Sequence, residues 1–217
     1  MTGPKRLLIL GSPGAGKTTL ARELARRTGL PLHHLDDAHW GSGWSRPTAD
    51  EWAQRQAALV AGQRWIVDGN YLPTLHLRVP HAELVVLVDA PAWRCAGRII
   101  QRAGRIRRGG VADLPASVRR QVLDGVSVPA TNDLRRLLWM VARFPGQSWP
   151  AVVGQAAAGP GTLLVAVQPG LLGSRMGATR RRLRGKGVRV LVQPLPQATE
   201  TVVSLVNGHL PTTGALT

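Results

Sequence analysis

Arg6-Leu-Leu-Ile-Leu10 runs straight into Gly11-Ser12-Pro13-Gly14-Ala15-Gly16-Lys17-Thr18, and this junction decides the fold. The first half is a short apolar run closed by glycine, which reads as a buried parallel strand. The second half fits G-x-x-x-x-G-K-[ST]. Behind it, Lys17 to Arg27 has helical spacing, with Leu20, Ala21 and Leu24 on one face and Gly29 and Pro31 as its stop. A loop between strand and helix wraps a polyphosphate when its backbone N–H groups point inward, and glycines permit that close approach. The helix N-terminus adds partial positive charge. Lys17 reaches the β- and γ-phosphates and the Thr18 hydroxyl ligates Mg²⁺. Gly11 to Thr18, with the following Thr19, are therefore expected to bind ATP and Mg²⁺.

Working outward, the cadence of strand and helix repeats. Leu32 to Leu35 reads as a strand closing on Asp36-Asp37, and Thr48-Ala-Asp-Glu51 is a capping box that starts a helix running to about Ala61. Trp65–Asp68 and Leu84–Asp89 are further strands, and Pro91 opens a helix through about Ala103. Leu134 to Phe144 and Pro150 to Ala158 look helical, and Thr162–Val167 and Val188–Val192 look like strands. This order predicts an α/β fold: a doubly wound parallel sheet of about five strands with helices on both faces. Ligands of such sheets lie beyond the carboxyl ends of the strands. Gly11, Asp36, Asp68 and Asp89 all fall at such ends. One domain is expected over residues 1–195, with a small basic lid at about 104–130 and a weakly patterned tail over 196–217.

Composition narrows the class. The chain has 217 residues, a net charge of +16 and a single cysteine, Cys95. One cysteine excludes an internal disulfide framework. The apolar runs are of strand length, too short for a membrane span or a signal peptide, so a cytoplasmic protein without membrane association is expected. The charge is uneven: residues 1–92 hold +2 and residues 93–217 hold +14. A GTPase needs an Asn-Lys-x-Asp base-reading motif, which is absent. Large motor or transporter ATPases need more chain. Small P-loop kinases have this size.

A resemblance sharpens this. Trp65-Ile-Val-Asp68-Gly69-Asn70-Tyr71 resembles the strand-end Asp-Gly segment of adenylate kinase-like enzymes, and Val86-Leu-Val-Asp89-Ala-Pro91 with Arg98-Ile-Ile-Gln-Arg102 resembles their helix leading into the lid. More closely, the P-loop, His34-Leu-Asp36 with Trp40, Gly43-Trp44, Glu51-Trp52, the Asp68–Tyr71 segment and Leu137-Leu-Trp139 before Phe144 resemble, in order, the bacterial "DNA topology modulation protein" group of that superfamily. The likeness spans roughly residues 5–168. It implies that Asp68 holds Mg²⁺ beside Thr18, that Arg98 lies against the base and that Arg102 lies on the phosphates. Asp36 stands where related small-molecule kinases keep an acid for the acceptor hydroxyl or metal, and an aspartate there orients that hydroxyl or takes its proton. Arg105, with Arg107 and Arg108, is expected to close over the transferring phosphoryl group. The acceptor pocket is expected to be bounded by Asp36, Trp40, Asn70, Tyr71 and Arg78, with Trp40 and Trp44 placed to stack on a ring. Trp52, Trp65 and Trp139 are expected in the core, and Cys95 is expected as a buried thiol.

Two functions follow as expectations. The first is a phosphotransferase, with Lys17, Asp36, Arg102 and Arg105 as its catalytic set, moving the ATP γ-phosphoryl group to a small acceptor: a nucleotide, a nucleoside or another hydroxy metabolite. The alternative is a nucleotide-dependent nucleic-acid-binding or regulatory protein affecting DNA topology. It rests on non-specific contacts from the basic half, above all Arg180–Arg184.

Overall fold

The computed structural model describes residues 3–41, 44–112, 114–125, 134–144, 149–158, 162–167 and 190–209. In chain order these form β1 (Arg6–Gly11), α1 (Lys17–Thr28), β2 (Leu32–His34), α2 (Leu35–His39), α3 (Ala49–Val60), β3 (Trp65–Asp68), two 3₁₀ turns (Leu72–Leu77 and Val79–His81), β4 (Leu84–Asp89), α4 (Ala92–Arg107), α5 (Ala116–Leu123), α6 (Leu134–Arg143), α7 (Trp149–Ala158), β5 (Thr162–Val167), β6 (Val190–Pro194) and α8 (Leu195–Val206).

The strands form one parallel sheet in the order β2-β3-β1-β4-β5-β6. It has six strands rather than about five, because both C-terminal apolar runs join it. β3 and β4 are buried along their whole length, which explains why β4 reads Leu-Val-Val-Leu-Val without polar alternation. The pleat divides their side chains between two cores. Leu8, Leu10, Trp65, Val67, Val85 and Leu87 point to one face, where they meet Trp52 and Val60 of α3 and Val152 and Val153 of α7. Leu7, Ile9, Ile66, Val86 and Val88 point to the other, against Leu20 and Leu24 of α1, Cys95 and Ile99 of α4, Val141 of α6 and Val202 of α8. Helices therefore cover both faces, as the cadence predicts. β1 lies between β3 and β4, so the chain turns to opposite sides of the sheet around it. That is the switch point at which ligand crevices open.

The capping box forms as the sequence implies. The Thr48 hydroxyl accepts from the Glu51 N–H at 3.3 Å, and the Glu51 carboxylate accepts from the Thr48 N–H at 2.8 Å. Trp52 and Trp65 are buried. Trp139 corrects an expectation: it is 54% exposed. The apolar face of α6 is built from Leu134, Leu137, Leu138 and Val141. At 100° per residue, position 139 falls on the opposite side. Its ring lies beneath the Arg143 guanidinium, 4.4 Å from it.

The stretch after residue 195 is weakly patterned in sequence, yet α8 forms there and packs on α1. Ala198, Val202 and Val203 are buried in the α1 core, and Arg27 pairs with Glu200 through two hydrogen bonds on the surface. Val202→Ala should lower unfolding stability by about 2 kcal/mol, since a fully buried side chain leaves a void that its neighbours only partly close. A shift of the urea midpoint checks this. An unchanged midpoint would mean that α8 is no part of the cooperative unit. Arg180–Arg184, residues 113 and 126–130 of the expected lid and residues 210–217 lie outside the described residues.

Candidate active site

The loop from Gly11 to Gly16 follows the carboxyl end of β1 and leads into α1. Its glycines are structurally required. Gly14 has φ +77°, and a Cβ there would come 2.5 Å from the Cys95 carbonyl oxygen. Gly11 has φ +147°, and a Cβ there would come 2.2 Å from the Val88 carbonyl oxygen. Side chains at these positions would collide with the backbone of α4 and β4. Gly16 takes the left-handed conformation as the N-cap of α1. Lys17 folds back so that its ammonium donates to the Ser12 carbonyl at 2.9 Å. Burial pushes the Lys17 pKa down, and the nearby Asp68 and Asp36 carboxylates push it back up. The net direction is below the ordinary lysine range. Both acids are thus within electrostatic reach of the amine, and so is Arg102, whose charge works in the downward direction.

Asp68, at the end of β3, is only 6% exposed. Its Oδ2 accepts from the Thr18 hydroxyl at 2.8 Å and lies 3.1 Å from His34 Nδ1. Its Oδ1 is buried with no partner among the described residues. A buried carboxyl oxygen left like this is costly unless something else meets it. A hydrated Mg²⁺ would do so, because it favours one or two protein oxygens and keeps several waters. The donor pair Thr18 and Asp68 fits that demand.

The residues that follow Asp68 meet the phosphate loop and one another. Asn70 clamps the phosphate loop: its Oδ1 accepts from the Gly11 N–H at 3.0 Å and its Nδ2 donates to the Gly11 carbonyl at 2.6 Å. Both ends of the amide are engaged on the backbone. Arg78 is fully buried. Its Nη1 donates to the Gly69 carbonyl at 2.9 Å, and its Nη2 donates to the carbonyls of Asn70 and, at 3.1 Å, Tyr71. Burial pulls its pKa down to about 10, so the group remains a cation at neutral pH. In this structure the polar ends of Asn70 and Arg78 are engaged on backbone groups of the site itself. Arg78 holds the Gly69–Tyr71 carbonyls, and Asn70 ties the segment to the P-loop. No signal in the sequence points to these two roles, because both depend on contacts formed in the fold.

Tyr71 turns toward Asp36. It sits at φ +38°, a conformation that a bulky residue adopts only when its surroundings enforce it. Its hydroxyl donates to Asp36 Oδ1 at 2.9 Å. Burial, followed by the Asp36 charge and this hydrogen bond, raises its pKa, so the phenol stays protonated as a donor. His39 lies in van der Waals range of Trp40, Trp52 and Tyr71, and Trp40 meets Trp44 edge to face at 5.3 Å between centroids. The tryptophans of this loop therefore pack on one another. Arg98 reaches back from α4 to the Gly14 carbonyl at 3.2 Å. It also lines a cavity of about 330 Å³ with Gly16, Thr19, Leu20, Glu23, Leu195 and Thr199. α4 runs past Arg102 and Arg105 to Arg107, and Arg105, Arg107 and Arg108 are exposed at its end. Cys95 is buried against the P-loop, and burial raises its thiol pKa.

The site is thus a phosphate-binding loop at the switch point of a parallel α/β sheet, with an acid on each of the two neighbouring strand ends. No protein-family model matches the chain. One curated relative, the ATP-dependent zinc metalloprotease FtsH of Nitrosococcus oceani, is 28% identical over 185 residues. The match takes in 71% of this chain but only 29% of the relative's length. The chain has no His-Glu-x-x-His pair of the kind that binds zinc in metalloproteases. Among solved structures, shikimate kinase from Acinetobacter baumannii superposes with a TM-score of 0.44 at 14% identity, covering 83% of this chain and 91% of that one. Shikimate kinase from Bacteroides thetaiotaomicron gives 0.46 at 15%, over 83% and 97%. A putative kinase from Chloroflexus aurantiacus gives 0.41 at 17%, over 97% and 100%. Likenesses at this level carry no functional argument, so the reading of function rests on the geometry.

Proposed function

We propose that the chain is an ATP- and Mg²⁺-dependent phosphotransferase that moves the γ-phosphoryl group to a small acceptor. The observation that carries the reading is Asp68. Its carboxylate is fixed by Thr18 on one oxygen and left unmet on the other, at the mouth of a complete phosphate loop. Mg²⁺ held there by Thr18 and Asp68 would neutralise charge developing on the phosphates. The N–H groups of Gly14 to Thr18 cradle the phosphates, and Lys17 exchanges its Ser12 carbonyl contact for a phosphate oxygen. Arg98 and the cavity beside α8 take the base and ribose. Arg102, whose charge acts on Lys17, would share the phosphate charge with it.

On the other side, Asp36 is held by the Tyr71 hydroxyl and lies within electrostatic reach of Lys17. It orients the acceptor hydroxyl. In the transfer, the acceptor oxygen forms a bond to the γ-phosphorus and the bond from that phosphorus to the β,γ-bridging oxygen breaks. ADP leaves with the bridging electrons, and the hydroxyl proton passes to Asp36. Arg105 and its neighbours close over the group in flight. The resemblance to the adenylate kinase-like superfamily agrees with this division of roles. The nucleic-acid reading rests on the basic half, above all Arg180–Arg184, which lie outside the described residues. ADP release that an acceptor stimulates tests the proposal.

A further inference from the structure

Asp36 and Asp37 look like twins in sequence, but they point to different partners. Asp36 takes the Tyr71 hydroxyl. Asp37 Oδ1 accepts from the backbone N–H of Ala116, 79 residues along the chain, at 2.6 Å. A second bond runs in parallel: the Ser117 hydroxyl donates to the Trp40 carbonyl at 2.5 Å. Ala116 and Ser117 open α5, the helix that follows the arginine-bearing end of α4. The N-cap of α5 is Pro115, which has no side-chain acceptor to offer. The first N–H groups of a helix have no partner within it, so Asp37 caps α5 from a separate segment. A carboxylate in this position also meets the positive end of the helix dipole.

We infer that Asp37 is a positioning residue that latches the segment carrying Arg105, Arg107 and Arg108 onto α2 and its C-cap Trp40, beside Asp36. The connection between α4 and α5 is short and contains Gly109 at φ +85° and Gly110. Its near end is the last turn of α4 and its far end is the first turn of α5. With the far end fixed to residues 37 and 40, an acceptor that orders Asp36 and Trp40 also orders the cations meant to close over it. This rests on the phosphotransferase reading, except for the anchoring of α5, which stands on its own.

The experiment has two arms. In the first, amide exchange of Ala116 is followed by NMR without nucleotide or acceptor, in wild type, Asp37→Ala, Asp37→Asn and Ser117→Ala. Exchange at Ala116 should quicken at least tenfold in Asp37→Ala and return close to wild type in Asp37→Asn, which keeps an acceptor oxygen. Should Asp37→Ala not fold, Ser117→Ala removes only the second strut and should still quicken exchange about threefold. Unchanged exchange in both alanine variants overturns the latch. In the second arm, acceptor-stimulated turnover should show acceptor KM raised about tenfold and kcat lowered in Asp37→Ala, with the KM for ATP unchanged and Asp37→Asn restored. Fast exchange with normal acceptor KM and kcat overturns the positioning role. Wild type without any acceptor-stimulated turnover overturns the phosphotransferase reading instead, and the anchoring of α5 then stands or falls on the exchange rates.

Discussion

Lys17→Ala should lower kcat/KM for acceptor-stimulated ADP release at least a hundredfold while leaving the melting temperature within a few degrees of wild type. A hundredfold corresponds to about 2.7 kcal/mol of transition-state stabilisation, the scale on which a single preorganised charge acts in a site closed to water. The asymmetry between activity and stability follows from the environment of the amine. Its one hydrogen bond in the described structure is to the Ser12 carbonyl. Burial works against its charge, and Asp68 and Asp36 only partly restore it. Folding therefore gains little from this ammonium, and its removal relieves a desolvation cost. Parallel initial rates and thermal melts check the pair of statements. A variant that loses activity because it unfolds would refute the assignment of Lys17 to phosphate chemistry.

Arg78→Met should destabilise the fold by about 3 kcal/mol, the largest stability effect expected of any residue around the site. Methionine matches the length of the aliphatic stem but leaves the carbonyls of Gly69, Asn70 and Tyr71 without the guanidinium that now meets them. Each unmet buried carbonyl costs about 1–3 kcal/mol, offset in part by no longer burying a cation. Tyr71 at φ +38° then has less to hold it in an unfavourable conformation. Arg78→Lys should recover little, because one ammonium cannot span carbonyls that a planar fork reaches together. Urea unfolding of both variants measures this. Stability equal to wild type in Arg78→Met would show that the guanidinium does not hold the segment.

These two residues mark where the sequence is legible and where it is not. The P-loop can be read directly because its requirements are local: the glycines, Lys17 and Thr18 stand at fixed spacing between an apolar run and an amphipathic one. The strands β3 and β4 are legible for the same reason, since burial on both faces makes them continuously apolar. Asp68 is legible as a strand-end acid, and Tyr71 as its near neighbour. Arg78 is different. An arginine nine residues after a strand-end glycine reads as an exposed cation for an acceptor. Only the 3₁₀ turns after Tyr71 fold it inward beneath the carbonyls of its own segment. Asn70 is hidden in the same way, because its partner Gly11 lies 59 residues away. Asp37 cannot be told from Asp36 until α5 is in place. The helix α8 escapes pattern reading because Pro196, Thr199 and Thr201 break up the apolar stripe that Ala198, Val202 and Val203 bury. Trp139 misleads in the opposite sense, since a large aromatic suggests core, whereas its ring lies exposed under Arg143.

The central claim is that the loop, Asp68 and Asp36 together transfer a phosphoryl group. The most direct measurement is ADP release from ATP·Mg²⁺ across nucleoside monophosphates, nucleosides and small hydroxy metabolites, with Lys17→Ala run beside wild type. The account predicts that one class of acceptor raises release severalfold in wild type and that the variant loses this stimulation. Release that no acceptor stimulates, or stimulation that survives in Lys17→Ala, would contradict it.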